Sequence, residues 1–419
     1  MIRSSPVVVR LALLFAILAA LCARQVHAQS VPITNPPNTP NPDSTLLVPQ
    51  RDITDILKSL IGRSVQTEVV REPVPGLSIS VLPSVGYNPA YGVFAGVSVA
   101  LGGWLSDPKT TNVSAGSFGA SYSTTGQVSL QFKSDFYLPQ NVWALKGDWR
   151  YLDTSQPTSG LGSADLNPDS YPMSFVLYRV HQSIYRQVSK SGIYVGAGYY
   201  FDRYDQIVDD RAAAGESTPF TAYSGTGVTR TQSSGVVLSI LVDTRDNAIN
   251  ASRGLMWNAS IGSYPKGLGS DVDHQTLWSD FRSYVRMPRD SRNILAIWNT
   301  VWTTFGRPPY LDLPAIGWDT YGRGGRGFVM GHIRGPDQIY TEFEYRMRFT
   351  NNGLWGGVVF MNITTTTSGI GSTFGPFDPG YGFGVRLKFN KRTNTNLAAD
   401  VARGQDATTR MFFGLQEVF

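Results

Sequence analysis

The residues of this sequence whose types and spacing could do chemistry gather in its last quarter. From Asp337 to Phe349 the chain alternates, so that an extended segment places Glu342, Glu344, Arg346 and Arg348 on one face and Ile339, Thr341, Phe343, Tyr345, Met347 and Phe349 on the other. Four adjacent formal charges suit no ordinary core, because each needs a partner or water. Just upstream, Gly322-Arg323-Gly324-Gly325-Arg326-Gly327 has the GxGxxG spacing of a dinucleotide loop, but the strand-turn-helix context that gives this motif its mechanism is missing. His181, His274 and His332 fall on separate elements without metal-ligand spacing. His274 beside Asp271 and Asp273 resembles a base-acid pair, but a solvated loop end accounts for it without a nucleophile. Asp280, Arg282 and Arg286 read as a shape-holding ion-pair set in preference to a selectivity filter. The chemistry on offer is ionic and positional: neither a cofactor nor a metal is implied, and the chain does not read as an enzyme.

A strand with oil on one face and a polar lumen on the other satisfies both demands of the 337–349 segment, and this is the pattern of a transmembrane β-barrel. The same rule recurs. Val128, Leu130, Phe132 and Phe136 oppose Gln127, Gln131, Lys133 and Asp135; Trp143, Leu145, Trp149 and Tyr151 oppose Lys146, Asp148 and Arg150. Val236, Leu238, Ile240 and Val242 oppose Asp243 and Arg245, and Phe383, Val385, Leu387 and Phe389 oppose Arg386 and Lys388. Segments of this kind number sixteen from Leu77 onward, the eighth spanning 234–246 and the last 409–419. Each is close to the roughly 9 to 11 residues a tilted strand needs to cross a bilayer, and an even count closes an antiparallel barrel. The fold class expected is therefore all-β, a 16-stranded antiparallel barrel over 77–419. Tyr91, Trp104, Tyr137, Trp143, Tyr199, Tyr200 and Trp355 stand near segment ends, as interfacial girdles do. The long connections near 153–172, 206–233, 307–336 and 363–379 are expected to be extracellular, with short turns such as Thr124-Thr125 and Arg392-Thr393 at the periplasmic end.

Hydrophobic residues make up 42% and charged residues 16% of the 419, a composition that alone would suggest a soluble protein. The long apolar run, Leu11 to Leu21, follows Arg3 and Arg10 and precedes Val26-His27-Ala28, which reads as a Sec signal peptide over 1–28. It contains Cys22, the sequence's single cysteine, so the mature chain is expected to have no thiol chemistry. Its removal takes Arg3, Arg10 and Arg24 with no acids, lowering the formal charge from +5 to +2 (33 basic minus 31 acidic). The remaining basic residues alternate with acids instead of forming a stripe, so no nucleic acid is expected as a partner. Residues 29–50 are a Pro-rich linker, and 51–76 a connector with a short amphipathic helix capped by Asp52 and carrying Ile53, Ile56, Leu57, Leu60 and Ile61 in one stripe. A helix this short is marginal alone. It is either a surface helix that only packs or one docked on the barrel's periplasmic mouth or in its lumen.

Four features in order resemble the BamA/TamA-type surface-antigen barrels of bacteria. They are the sixteen segments, Arg326-Gly327-Phe328 in the loop between the eleventh and twelfth, Asp243-Thr244-Arg245-Asp246-Asn247 with Gly254 after the eighth, and a chain ending on Gly414-Leu415-Gln416-Glu417-Val418-Phe419. The resemblance implies that the loop folds back into the lumen and that Arg326 is pinned by Glu344 or Glu342, as a guanidinium held bidentately by carboxylates would be. The family's second carboxylate falls on Asn362, which carries no charge, and Gly325 stands where an apolar residue is usual. Gly414 and Phe419 resemble an outer-membrane assembly signal, with Phe412 and Glu417 departing from it, and imply insertion by the outer-membrane assembly machinery. Residues 29–76 leave no room for the periplasmic POTRA domains that receive client chains in the family, so a barrel-only member is expected. Pro83 in the first segment fits either a weakly paired seam with the last strand or a simple bulge. The resemblance implies an outer-membrane location, lipid and unfolded outer-membrane or secreted polypeptides as partners, and insertion or translocation of polypeptides as the function. A passive pore or structural barrel plugged by 307–336 is the alternative.

Overall fold

The computed structural model describes residues 50–62, 74–88, 92–163, 171–320, 322–391, 393–404, 409–415 and 417–419. The segments expected as signal peptide and Pro-rich linker, as far as residue 49, and residues 63–73 of the expected connector lie outside the described residues. One sheet of sixteen strands in simple sequence order forms a meander: β1 Gly76–Asn88, β2 Gly92–Trp104, β3 Ser114–Ser123, β4 Val128–Tyr137, β5 Trp143–Thr158, β6 Tyr171–Ser189, β7 Ile193–Asp209 and β8 Thr231–Asp243. It continues through β9 Gly254–Tyr264, β10 His274–Arg286, β11 Ile294–Gly306, β12 Asp337–Arg348, β13 Trp355–Thr366, β14 Asp378–Asn390, β15 Thr395–Arg403 and β16 Thr409–Leu415. Every neighbouring pair is antiparallel. Among the described residues, the helix α1 Ile53–Leu60 stands ahead of the sheet.

Alternation decides which way each side chain points. On β12, Tyr340, Glu342, Glu344 and Arg346 are buried while Phe343 between them is exposed. Leu130, Trp149, Val180, Leu238, Ile240, Met361, Phe383 and Val385 are exposed on other strands. An outward belt of large apolar side chains around a buried, charged interior is the inverse of a water-soluble barrel and matches a hydrocarbon surrounding. The sheet curls on itself: a Cβ at Gly102 of β2 would lie 2.6 Å from Ile249 in the β8–β9 turn and 3.1 Å from Thr393 in the β14–β15 turn. Among the described residues no backbone register joins β1 to β16, and β1 runs 13 residues against 7 in β16.

Several expectations change. β16 stops at Leu415 rather than Phe419, because Leu415 pairs with Leu397 and β15 has only two residues left before its own turn. The Thr124-Thr125 turn joins an odd strand to the next even one, as do all four long loops, so it lies at the long-loop end and not opposite it. β1 registers with β2 through Pro83 and Val97 without a shift, so the bulge reading fails. Tyr137 and Tyr200, expected in girdles, point inward: Tyr137 donates its hydroxyl to Asp243 and Tyr200 stacks on His181 at 4.1 Å. Tyr199 and Trp355 are exposed, and Tyr91 lies outside the described residues. β5, β6 and β7 extend past their expected ends because Met173, Phe175, Tyr204 and Ile207 are buried there with Tyr310, Leu311, Leu313 and Trp318 of the 307–336 loop. That apolar cluster, with Phe220 from the helix α2 Pro219–Ser224, forms a dome that holds the loop.

Candidate functional site: the loop lock in the lumen

The 307–336 loop enters the lumen and touches opposite walls. On one wall Arg150 of β5 donates Nη2 to the carbonyls of Asp319 (3.0 Å) and Thr320 (2.7 Å), and Trp318 donates Nε1 to Gln156 at 2.9 Å. Arg150 and Arg179 also lie over the Trp318 ring, at 5.9 and 5.7 Å from its centroid. Asp319 accepts from the backbone N–H groups of Arg323 (2.9 Å) and Gly324 (2.8 Å), which folds the Gly-Arg segment into a tight reversal.

Against the wall formed by β12 and β15 the loop sets Arg326, almost fully buried. It donates through Nη2 to both Glu342 and Glu344 and through Nη1 to Asp400 of β15 at 2.7 Å, while its Cζ lies 3.4 Å from the centroid of the Phe360 ring. Burial works against the charge of Arg326, yet Glu342, Glu344 and Asp400 together raise its pKa well above the ordinary guanidinium value. The network continues: Arg346 donates Nε to Glu344 at 2.7 Å, and Arg386 bonds Asp400 at 2.5 Å and Glu417 at 2.7 Å. Three guanidiniums (Arg326, Arg346, Arg386) thus face four carboxylates (Glu342, Glu344, Asp400, Glu417). The hydroxyl of Tyr340 donates to Glu342, and Asn396 Nδ2 donates to Glu417 at 2.6 Å, so the oxygens not facing guanidinium have other donors.

Asn362 does not contact the guanidinium. Its Nδ2 donates 2.9 Å to the backbone carbonyl of Arg326, a role an Asp carboxylate could not fill because it has no N–H. The second negative wall comes from Asp400, which sequence reasoning missed; it is the one acid in the alternating Asn396, Ala398, Asp400, Ala402 face of β15, and that pattern was the available signal. Gly325 has φ +75° and a Cβ there would sit 2.3 Å from Ile316, which explains glycine before the arginine. Gly327 has φ +102°, and its Cβ would sit 2.9 Å from the backbone of Arg403, so the loop tip rests on the end of β15 backbone to backbone. Arg410 of β16 donates to the Gly327 carbonyl at 2.6 Å. Phe328 is buried with Trp298, Ile316, Ile333, Tyr340 and Phe419.

The end of the chain joins this site. Past Leu415 it turns inward: Arg323 donates to the carbonyls of Glu417 and, at 2.9 Å, Leu415, and Arg346 donates to the Phe419 carbonyl at 2.6 Å. The Phe419 ring packs against Trp298 at 5.3 Å and Tyr284 at 6.3 Å. Phe419 therefore lies inside the lumen, and Gly414 is exposed on β16 with open space where a Cβ would go.

The turn after β8 closes the other end. Arg245 grips Asp243 bidentately at 2.9 and 2.7 Å, and Asp246 accepts from the backbone N–H of Ser252 at 2.9 Å. Gly254 at φ +95° lets the chain pass within 2.2 Å, for a Cβ, of the Thr244 carbonyl. Asn250 donates to the Asn394 carbonyl at 3.3 Å, and Asn394 donates back to that of Asn250 at 3.2 Å, so this turn reaches across to the β14–β15 turn. Asp280 and Arg282 form a buried pair at 2.7 Å, with Trp298 Nε1 donating to Asp280 at 2.9 Å, and Arg286 is half-buried. His181 pairs with Asp202 at 2.9 Å, and His274 stacks on Tyr264 at 4.6 Å. Among the described residues no group of three His, Cys, Asp or Glu could hold a metal ion.

No family model matches the chain, and no curated protein sequence matches it. Its structure is similar to that of BamA from Haemophilus ducreyi lacking POTRA domains 1-3, with a TM-score of 0.50 and 15% identity over 82% of this chain and 69% of that one. CdiB from Acinetobacter baumannii matches with a TM-score of 0.48 and 12% identity, over 81% of this chain and 59% of that one. At such identities the likeness to BamA shows the fold: a single sheet of sixteen antiparallel strands, barrel-like, behind a short N-terminal helix.

Proposed function

We propose that this chain is an outer-membrane barrel that acts in polypeptide insertion or translocation, with the 307–336 loop as an internal lock and Arg326 as its pin. The observation that carries this reading is the clamp of Arg326 among Glu342, Glu344 and Asp400, on a loop whose tip also rests on β15 and β16. A plug that only fills a hole needs shape. One that fastens its tip to the last two strands by charge couples lumen to seam. The outward apolar belt supports lipid as the surroundings, and the short β16 supports a seam that pairs weakly with β1. The Asp243–Arg245 pair, with Asp246 and Gly254, shapes the turn that covers the short-turn mouth, and Gly414 and Phe419 serve the chain's own assembly.

The test is reconstitution into liposomes and the rate at which an unrelated denatured barrel inserts, compared with empty liposomes. Acceleration by the wild-type protein that is lost in Arg326→Ala, with the barrel still folded and heat-modifiable, is the expected result. Steady ionic conductance without acceleration would assign the chain to the passive-pore class instead.

A further inference from the structure

α1 is seated on the barrel by its polar face. Asp52 and Asp55 form a reciprocal capping box, are both buried, and hold the β14–β15 turn: Lys391 donates its backbone N–H to Asp52 at 3.1 Å and its Nζ to Asp55 at 2.9 Å. Arg51 N–H donates to the Asn352 carbonyl in the β12–β13 turn at 3.1 Å. By helical spacing Leu57, Leu60 and Ile61 lie on the side away from Asp55, while Ile56, four residues after Asp52, lies beside Asp52, and Ile53 lies between the two sides. Ile53 and Ile56 are half-buried, and Leu57, Leu60 and Ile61 are 56, 77 and 67% exposed. Of the strands, the helix packs chiefly against β14, at the rim beside the β14–β15 turn, while Ile249 and Ala251 of the β8–β9 turn are buried.

Phe349 and Trp355 flank the β12–β13 turn and are 60 and 44% exposed, which marks the level where the outward belt ends. A stripe of large aliphatic side chains beside that collar, flanked by Arg51 and Lys58, has the composition of a helix lying in a membrane interface, with aliphatic groups among acyl chains and cations near phosphates. We propose that α1 is an interfacial anchor whose Leu57, Leu60 and Ile61 insert into the periplasm-facing leaflet beside β12–β14. This rests on the reading of the barrel as a membrane protein. The helix would fix the rim of the strands that carry Glu342, Glu344 and Asn362 to the lipid, on the side of the barrel where the lock sits.

The experiment places one fluorophore at a time, in a Cys22→Ser background, on Leu60→Cys, Lys58→Cys or, as a belt control, Phe413→Cys of the full chain in phosphatidylcholine–phosphatidylglycerol liposomes. Quenching by nitroxide-labelled lipid is compared with quenching by aqueous iodide. The expected result is that labels at positions 60 and 413 respond to the lipid quencher and are severalfold less sensitive to iodide than the label at position 58. A label at position 60 quenched by iodide and not by lipid would overturn the anchor and leave this face to water or a periplasmic partner. Protection from both quenchers would overturn it in favour of cover by the chain's own segment. Failure of the position-413 label to respond to lipid would overturn the membrane reading itself, so the two failures are distinguishable.

Discussion

At the scale of a residue, Arg326 carries more electrostatic consequence than any other side chain of the loop. One guanidinium bonds three carboxylates from two strands, and its carbonyl is held by Asn362. Arg326→Ala would leave Glu342, Glu344 and Asp400 buried with only Arg346, Arg386 and Tyr340 to answer them. Removing one partner of a buried pair costs about 3–5 kcal/mol. We expect that cost to fall on loop docking: limited proteolysis should cut within 307–336 at least tenfold faster while the barrel stays heat-modifiable. Arg326→Lys should rescue little, since an ammonium is a point charge without the planar fork that serves several carboxylates at once. In a double-mutant cycle, Glu344→Gln added to Arg326→Ala should cost much less than the sum of the single changes. Additive losses would show that the two do not act as one unit.

The loop as an element is held at both ends, by the Arg326 clamp and by the apolar dome over β5–β7, and the dome contains a titratable weak point. Asp312 accepts from Ser233 with one oxygen, and the other has no partner among the described residues. Burial, then the negative charge of Asp202, pushes its carboxyl up to about 7. Against a free value of roughly 3.9, the folded state binds the extra proton. Its contribution is thus full below about pH 4 and is lost as pH rises through about 7, where the docked loop must bury a carboxylate. Loop docking should be weaker at pH 8 than at pH 5, read by proteolysis of 307–336 at each pH. Asp312→Asn should flatten that dependence; an unchanged slope would place the titrating group elsewhere. The same dome explains the extra strand length in β5–β7, since an apolar patch past the bilayer must be covered by something, and the loop covers it.

For the whole molecule, the loop ties walls that the meander leaves far apart in sequence. Arg150 on β5, Asp400 on β15 and the chain end beyond β16 all bond the one segment from Asp319 to Arg326. The last strand is short and has no described partner at β1, so beyond β15 it is restrained by the inward tail with Arg323 and by the Arg410–Gly327 contact. Hydrogen bonds to a charged donor contribute about 1.5–3 kcal/mol each. Arg323→Ala should therefore speed amide hydrogen exchange over 409–415 by at least tenfold while β4–β10 change little. Equal exchange in both proteins would show that Arg323 does not restrain β16.

Much of this was legible in the residues alone, because alternation is local. A lipid-facing strand must be apolar at every second position whatever its neighbours are, so most of the strands and the inward direction of Glu342, Glu344 and Arg346 follow from reading each segment by itself, while the first and eleventh segments alternate poorly and are strands by their pairing with neighbours. Which charges meet is not local. Asp400 lies 74 positions from Arg326, and only the curl of the sheet carries β15 round to the loop. The same holds for Phe419. Sequence parity would continue β16 and point it outward, but β15 runs out of backbone to pair with, and Arg323, Arg346 and Trp298 draw the tail inside. Periodicity determines the faces of a barrel; what fills its lumen is decided where distant segments find the donors, carboxylates and apolar surface that a buried group requires.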